Sequence, residues 1–361
     1  MSPRSVEPLE HARLPQYLKP FEKYGMWHGK LQEGMDPHHE SLFLGIQTRC
    51  DFQNGCSQKG GREARDLKFG LPPLSDHTFE WHDLIGALEQ SEGQFNMLEL
   101  GAGWAKWIVD AVGLARASGR KARAIGVEAQ PIHCEMAEKH IHANNAVPEA
   151  SMLCGAVGKE DGFVEFPVKR NAAMQHNYGF GIQHLLDGKK GEVEAGGGRV
   201  ARVPAYSLCT LVGTPAFLGR PVDFVSLDIQ SFEYAVLQAT KENMACLDEN
   251  VAVLHISMHR IEENDARPIT EMMVGRLGWQ LTRYIPLFTS KYETPFGIIN
   301  VVDGRLVFVN RRLAPRFQAP GLNDARMIHR GTYTQHRRKK ESVAKDWGPG
   351  DYITDIHHKH S

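Results

Sequence analysis

Residues 95–103 read Phe-Asn-Met-Leu-Glu-Leu-Gly-Ala-Gly: an apolar run, an acid, and two glycines one residue apart. The run has the length of a buried strand, and glycines placed directly after it let the backbone turn tightly and come close to a ligand. A second apolar stretch, Ala124-Ile125-Gly126-Val127-Glu128, also ends in an acid, 25 residues past Gly103. Strand, glycine turn, helix, strand and acid is the layout of a nucleoside-binding α/β unit.

The turn also says which nucleosides do not fit. A dinucleotide site needs a third glycine at position 106, where helix and strand pack closely, and this chain has Lys106 there. The Lys-Ser/Thr pair of a phosphate-cradling loop is missing as well. S-adenosylmethionine fits what remains, because it carries no phosphate. Its ribose diol can donate hydrogen bonds to Glu128. Its methionine part has an ammonium and a carboxylate, matched by Glu99 and by open N–H groups at Gly101, Ala102, Gly103 and Trp104.

Working outward, Trp104, Trp107, Ile108, Ala111, Val112 and Ala115 share one helical face, which predicts a helix from near Trp104 to a stop at Gly119. Pro131 opens another helix, through about Ala143. Strands are expected at 151–157, 163–168, 222–228, 251–257 and 280–286, with helices after Asp228 and from Pro268. Asp303-Gly304, between 298–302 and 305–309, predicts a hairpin that ends the sheet with antiparallel strands. This alternation argues for an α/β protein with a mainly parallel sheet. Residues 170–200 are polar and Gly-rich and read as a loop or lid, with Asn177-Tyr178-Gly179 as candidates to line an acceptor pocket. Three parts follow: an N-terminal extension packing on the core (1–80), the cofactor-binding domain (81–313) and a basic, His-rich tail (314–361), loosely packed from 311 onward.

Composition narrows the class. The chain has 361 residues, 42% hydrophobic and 24% charged, with a net charge of −1. That charge supplies no field to recruit nucleic acid, so a nucleic-acid partner is disfavoured. No run of 18 apolar residues exists, so no membrane span is expected, and the first residues lack a signal-peptide core. The six cysteines, at 50, 56, 134, 154, 209 and 246, have no CxxC spacing. They read as reduced thiols of a cytoplasmic protein, with no zinc or other metal site. A homo-oligomer is compatible with the chain.

Several segments resemble the FkbM-type methyltransferases: Met97 to Gly103; Gly126-Val127-Glu128-Ala129; Ala156-Val157-Gly158 with Gly162; Val225-Ser226-Leu227-Asp228-Ile229-Gln230-Ser231-Phe232-Glu233; His255 to Glu262; and Asp303 to Asn310. The resemblance spans roughly 80–313. It implies a class I methyltransferase (Rossmann-like) fold, a seven-stranded sheet with an antiparallel final strand, and O-methylation. It also implies a cofactor wall that adds Ala129, Ala156 and Asp228 to Glu99, the 101–104 turn and Glu128. Two departures stand out. Gln230-Ser231 occupies the place of a Glu-Gly pair, which removes a carboxylate, and Cys209-Thr210 stands where the family carries acids.

In an open α/β sheet the ligand lies beyond the carboxyl ends of the strands, where strand order reverses. Methyl transfer from a sulfonium is an in-line displacement, so alignment is the main task. A hydroxyl acceptor also needs a base to share its proton. His259 is expected to be that base, because histidine titrates near neutral pH, and Asp228 is expected to orient the acceptor, the base or the cofactor ammonium. Mid-strand His255 is expected to be a hydrogen-bonded core residue. Glu233 matches the resemblance and also suits a helix start. The expected function is an S-adenosylmethionine-dependent O-methyltransferase, a transferase acting on a hydroxyl of a sugar, glycan or secondary metabolite. The alternatives are an RNA or protein methyltransferase, prompted by basic residues at 326–340, or a catalytically inactive binding protein with the same fold.

Overall fold

The computed structural model describes residues 19–22, 24, 39–41, 43–49, 52, 74–169, 198–238, 241–259, 266–285, 290–294, 297–301, 303–319 and 326–330. The Gly-rich stretch around Asn177-Tyr178-Gly179, Cys50, Cys56 and the basic segments at 337–340 and 357–360 lie outside the described residues.

Seven strands form the central sheet: β1 (Phe95–Leu100), β2 (Ala122–Glu128), β3 (Ala150–Cys154), β4 (Phe224–Leu227), β5 (Val253–Met258), β6 (Gln280–Ile285) and β7 (Gly304–Val309). Their order across the sheet is β3-β2-β1-β4-β5-β7-β6. β7 runs antiparallel to both neighbours, and the pairings among β1 to β5 are parallel. This is the class I methyltransferase arrangement that the resemblance implied. The chain moves outward from β1 to β3 and then returns to the other side of β1 as β4. The switch point therefore lies between β1 and β4, whose ends are joined by Asp228 N–H donating to Leu100 O at 2.8 Å.

All six residues of β1 are buried, as a central strand covered on both faces must be. Met97 packs with Leu84, Ile85 and Leu88 of α1 (His77–Gln90) and with Ile108 and Val112 of α2 (Lys106–Ala117). Leu98 and Leu100 point the other way, into a cluster with Val236 of α4 (Glu233–Leu237) and Leu247 of α5 (Lys241–Asn250). Between α2 and α5 in sequence, α3 (Pro131–Ala143) adds Ala137 and Ile141 to the first cluster. Each such Leu or Ile contributes about 1.5–3 kcal/mol by burial. Phe21, Tyr24 and Ile46 join the first cluster too.

Four expectations need correction. The helix after β1 starts at Lys106, not Trp104, because Gly103 (φ 54) and Ala105 (φ 64) keep the turn left-handed past Trp104. The strands flanking Asp303-Gly304 do not pair with each other. Gly297–Val301 belongs to a separate three-stranded sheet, whereas β7 inserts between β5 and β6, so the antiparallel strand is not at the edge. Gly304 lacks the positive φ that a type I′ turn requires and instead pairs with Met258. The chain after 311 is not uniformly loose. Ala314 and Phe317 are buried, and Arg326–Arg330 pairs with Ser290–Thr294 through backbone bonds that need no apolar side-chain pattern. Finally, the described cysteines are not reduced thiols: Cys134 is bonded to Cys154 and Cys209 to Cys246, with Cα atoms 5.9 and 5.4 Å apart. Packing of α3 on β3, and of the short helix Leu208–Val212 near α5, makes these pairs, and residue spacing does not reveal such contacts.

Candidate functional site

The β1 turn is locked from both sides. Gly101 N–H and Ala102 N–H both donate to Val127 O at 2.9 Å. Gly101 has φ 85, and a Cβ added there would sit 1.7 Å from Asp228 O. Only glycine lets the turn approach the end of β4 so closely.

The two acids that the sequence singled out brace this turn. Glu128, nearly buried, accepts from Gly103 N–H at 2.8 Å and from Gln130 N–H at 2.7 Å. Each carboxylate oxygen keeps a second lone pair, so the group can still accept from a ribose diol. Glu99 is turned elsewhere. Its oxygens accept from Trp107 N–H at 3.3 Å and Ile108 N–H at 3.0 Å, in the first turn of α2. Burial pushes its carboxyl well above the usual range, against those two bonds, and nearby Glu80 adds to the rise. Glu99 thus caps α2 and shapes the turn, where the sequence reading had it facing an ammonium. Trp104 also faces away, its indole packing with Phe52, Met136 and His140. Ala129 and Ala156 share an apolar cluster with Phe166 and Val203. This cluster adjoins Glu128, whose carbonyl accepts from Gly155 N–H at 2.9 Å.

Across the switch point, Asp228 and His259 meet. His259 Nε2 lies 3.2 Å from Asp228 Oδ1, and Nδ1 lies 2.9 Å from Glu233 Oε1. Glu233 is fully buried, and the same Oε1 also accepts from Ile229 N–H at 3.0 Å and Ser231 N–H at 3.3 Å. Between them Gln230 (φ 55) and Ser231 (φ 78) are left-handed, a conformation that costs a non-glycine residue about 1–2 kcal/mol. Such strain persists where surrounding bonds over-determine it, which is typical of functional loops. Burial alone would lower the His259 pKa. The charge of Asp228, the hydrogen bond and charge of Glu233, and the field of Asp303 outweigh it and raise the pKa to about 9. His259 is therefore an imidazolium near neutral pH, not the neutral ring that the sequence reading assumed. Asp228, Glu233 and His259 offer donor atoms within 4.8 Å of one another, a spacing that a metal ion could use. A metal there would have to displace the ring proton.

The face of the sheet toward α1 is polar at its carboxyl end. Ser226 Oγ donates to Glu80 Oε1 at 2.8 Å, and His255 Nδ1 lies 3.2 Å from Asp83 Oδ2. Arg283 Nη2 lies 3.0 Å from Asp83 Oδ1. His255 is fully buried, in keeping with a core histidine. Next to it, Arg305 reaches Ser257 Oγ at 3.4 Å and Asp76 Oδ2 at 3.5 Å. The N-terminus of α1 thus closes one wall of the site near His259. Sequence reasoning missed Asp76 and Arg305, whose contacts come from elements far apart in the chain, and took Gln230 only as a lost carboxylate.

No protein-family model matches the chain. A protein from Jannaschia sp. (strain CCS1), named provisionally as a methyltransferase, is 24% identical over 220 residues, which cover 58% of this chain and 73% of the relative. Among solved structures, the chain is similar to methyltransferase FkbM from Methylobacillus flagellatus KT (TM-score 0.36, 13% identity), covering 61% of this chain and 45% of that one. The chain thus matches less than half of that protein's length. It is also similar to the O-methyltransferase from Bacillus cereus in complex with SAH (TM-score 0.34, 14% identity), covering 66% of this chain and 84% of that one.

Proposed function

We propose that this protein, an S-adenosylmethionine-dependent methyltransferase, methylates a hydroxyl of a sugar, glycan or secondary metabolite, with His259 as the base. The cofactor reading is supported by the Gly101–Gly103 turn at the switch point and the Glu128 carboxylate braced on it. The relative named provisionally as a methyltransferase agrees with it. The hydroxyl-acceptor reading rests on one observation above all: a ring nitrogen of His259 beside Asp228, with the other nitrogen fixed by buried Glu233. A base held in place by a third group is the arrangement that activates a weak oxygen nucleophile.

The residues present suit the cofactor. The missing Cβ of Gly101 lets the turn close against the end of β4, and Glu128 retains lone pairs for the ribose. When bound, S-adenosylmethionine supplies an electrophilic methyl group whose bond to sulfur breaks as the acceptor oxygen attacks. The chain's own residues align the acceptor and take its proton onto His259 Nε2, while Asp228 and Glu233 hold the ring. The products are a methyl ether and S-adenosylhomocysteine. Production of S-adenosylhomocysteine with hydroxylated sugars, and not with RNA, is the expected assay result. Turnover on RNA alone would reverse the acceptor assignment.

Two predictions arise at once. Glu128→Gln places an amide N–H against a backbone N–H and is expected to weaken cofactor binding about 10- to 100-fold, measured by calorimetry. The second concerns pH. The base form of His259 fills only as pH rises to about 9, so kcat/KM should climb roughly tenfold per unit below that point and level off above it. The same group affects stability with the opposite sign. Its folded pKa is raised, so its contribution of about 3 kcal/mol is full below about pH 6.5 and is lost as pH rises through about 9. Denaturant midpoints for wild type and His259→Ala should therefore converge as pH rises through that window.

A further inference from the structure

We infer that the Cys134–Cys154 disulfide is a redox switch on cofactor binding: closed, it clamps the two segments that position Glu128, and a dithiol reductant opens it and releases them. The inference rests on the cofactor reading above. Glu128 ends β2 and is held from two directions. Its carboxylate accepts from Gln130 N–H at 2.7 Å, and Gln130 is the N-cap of α3. Its carbonyl accepts from Gly155 N–H at 2.9 Å, one residue past the end of β3. Cys134 lies one turn into α3, its N–H donating to Gln130 O at 2.9 Å. Cys154 is the last residue of β3 and stands opposite Glu128 in the parallel pairing. The disulfide therefore ties the start of α3 to the end of β3, with Cα atoms 5.9 Å apart.

The strand it pins is open to solvent. β3 lies at the edge of the sheet and pairs with β2. Ser151, Met152 and Leu153 are half-buried and Cys154 is exposed. An edge strand with so little buried surface opens easily at its end. The segment it leads into matters for the ligand, because Ala156 shares an apolar cluster with Ala129, next to Glu128. Cys134 is buried, so a reductant meets Cys154 first. A thiolate of the dithiol attacks Cys154 Sγ, the bond between the cysteine sulfurs breaks, and Cys134 leaves as a thiolate that takes up a proton. The second thiol then attacks the mixed disulfide and frees Cys154. The protein disulfide gains two electrons and two protons, and the dithiol is oxidised to its own disulfide. Linkage makes the switch reciprocal: the factor by which the closed disulfide raises cofactor affinity is the factor by which bound cofactor favours the closed disulfide. The second pair, Cys209–Cys246, joins the short helix Leu208–Val212 to α5, elements that give Glu128 no hydrogen bond.

The test is calorimetry of S-adenosylmethionine into the full chain, oxidised and after reduction with dithiothreitol. Reduction should weaken binding about tenfold, and reoxidation should restore it. Saturating S-adenosylmethionine should in turn lower the potential of the Cys134–Cys154 pair by about 30 mV, the same factor for a two-electron couple, read by mass spectrometry of alkylated peptides across dithiol buffers. Cys134→Ser/Cys154→Ser should bind like reduced wild type under both conditions. Cys209→Ser/Cys246→Ser, which keeps the pair beside Glu128, should still switch. The wild-type comparison needs no substitution, so it decides the matter even if a variant does not fold. Equal affinities of oxidised and reduced wild type would overturn the inference, as would a switch that persists in Cys134→Ser/Cys154→Ser. Binding in neither state would instead overturn the cofactor reading, and the inference with it.

Discussion

Gly101→Ala is expected to abolish measurable S-adenosylmethionine binding. Its Cβ would lie 1.7 Å from Asp228 O and 2.7 Å from Asp228 C, a backbone overlap that no side-chain rotation relieves. Left-handed strain of about 1–2 kcal/mol adds to overpacking of about 1–3 kcal/mol. The overlap can be relieved only by drawing the β1 turn away from the end of β4, which opens the switch point. A loss of about 10²-fold or more in affinity follows, at about 1.4 kcal/mol per factor of ten. Gly119 provides the control. It also has positive φ (69), but a Cβ there meets nothing within 4 Å. Gly119→Ala should carry the strain alone and bind the cofactor like wild type. Equal affinities for wild type and Gly101→Ala would show that the turn does not form the cofactor cradle.

His259→Ala should have the largest effect on turnover. Removal of the base is expected to cut kcat by about 10²-fold or more, while cofactor affinity stays unchanged. The geometry separates the two effects, since His259 contacts Asp228, Glu233 and Gln230, and none of the bonds that brace Gly101 and Gly103 involve it. Glu233 keeps its bonds to Ile229 and Ser231 N–H in the variant, so the loop retains its main anchor. A rate like that of wild type would remove His259 from the mechanism.

These two residues also mark where the sequence was informative and where it stopped being so. The Gly101 turn and Glu128 could be read because their contacts are local in pattern: strand, turn and strand follow one another, and the glycine spacing states the close approach. The meeting of Asp228 and His259 followed from strand ends lying side by side. The remaining features depend on contacts between distant elements. Glu80 meets Ser226 across 146 positions, and Asp83 meets Arg283 across 200. Glu99 looked free to meet a ligand because the α2 N–H groups that occupy it become visible only once the helix is placed. The Asp303-Gly304 pair imitated a hairpin, yet β7 finds better burial between β5 and β6, where all six of its residues are buried. Gln230 and Ser231 gave no sign of left-handed backbone, since neither residue type calls for it. The two cysteine pairs joined residues 20 and 37 positions apart, which no spacing motif announces.

The switch point between β1 and β4 is expected to bind S-adenosylmethionine. Titration calorimetry of S-adenosylmethionine into the full chain tests it most directly. The expected result is saturable one-to-one binding, weakened about 10- to 100-fold by Glu128→Gln and lost in Gly101→Ala. Absence of binding at millimolar cofactor, or binding that neither substitution alters, would contradict it.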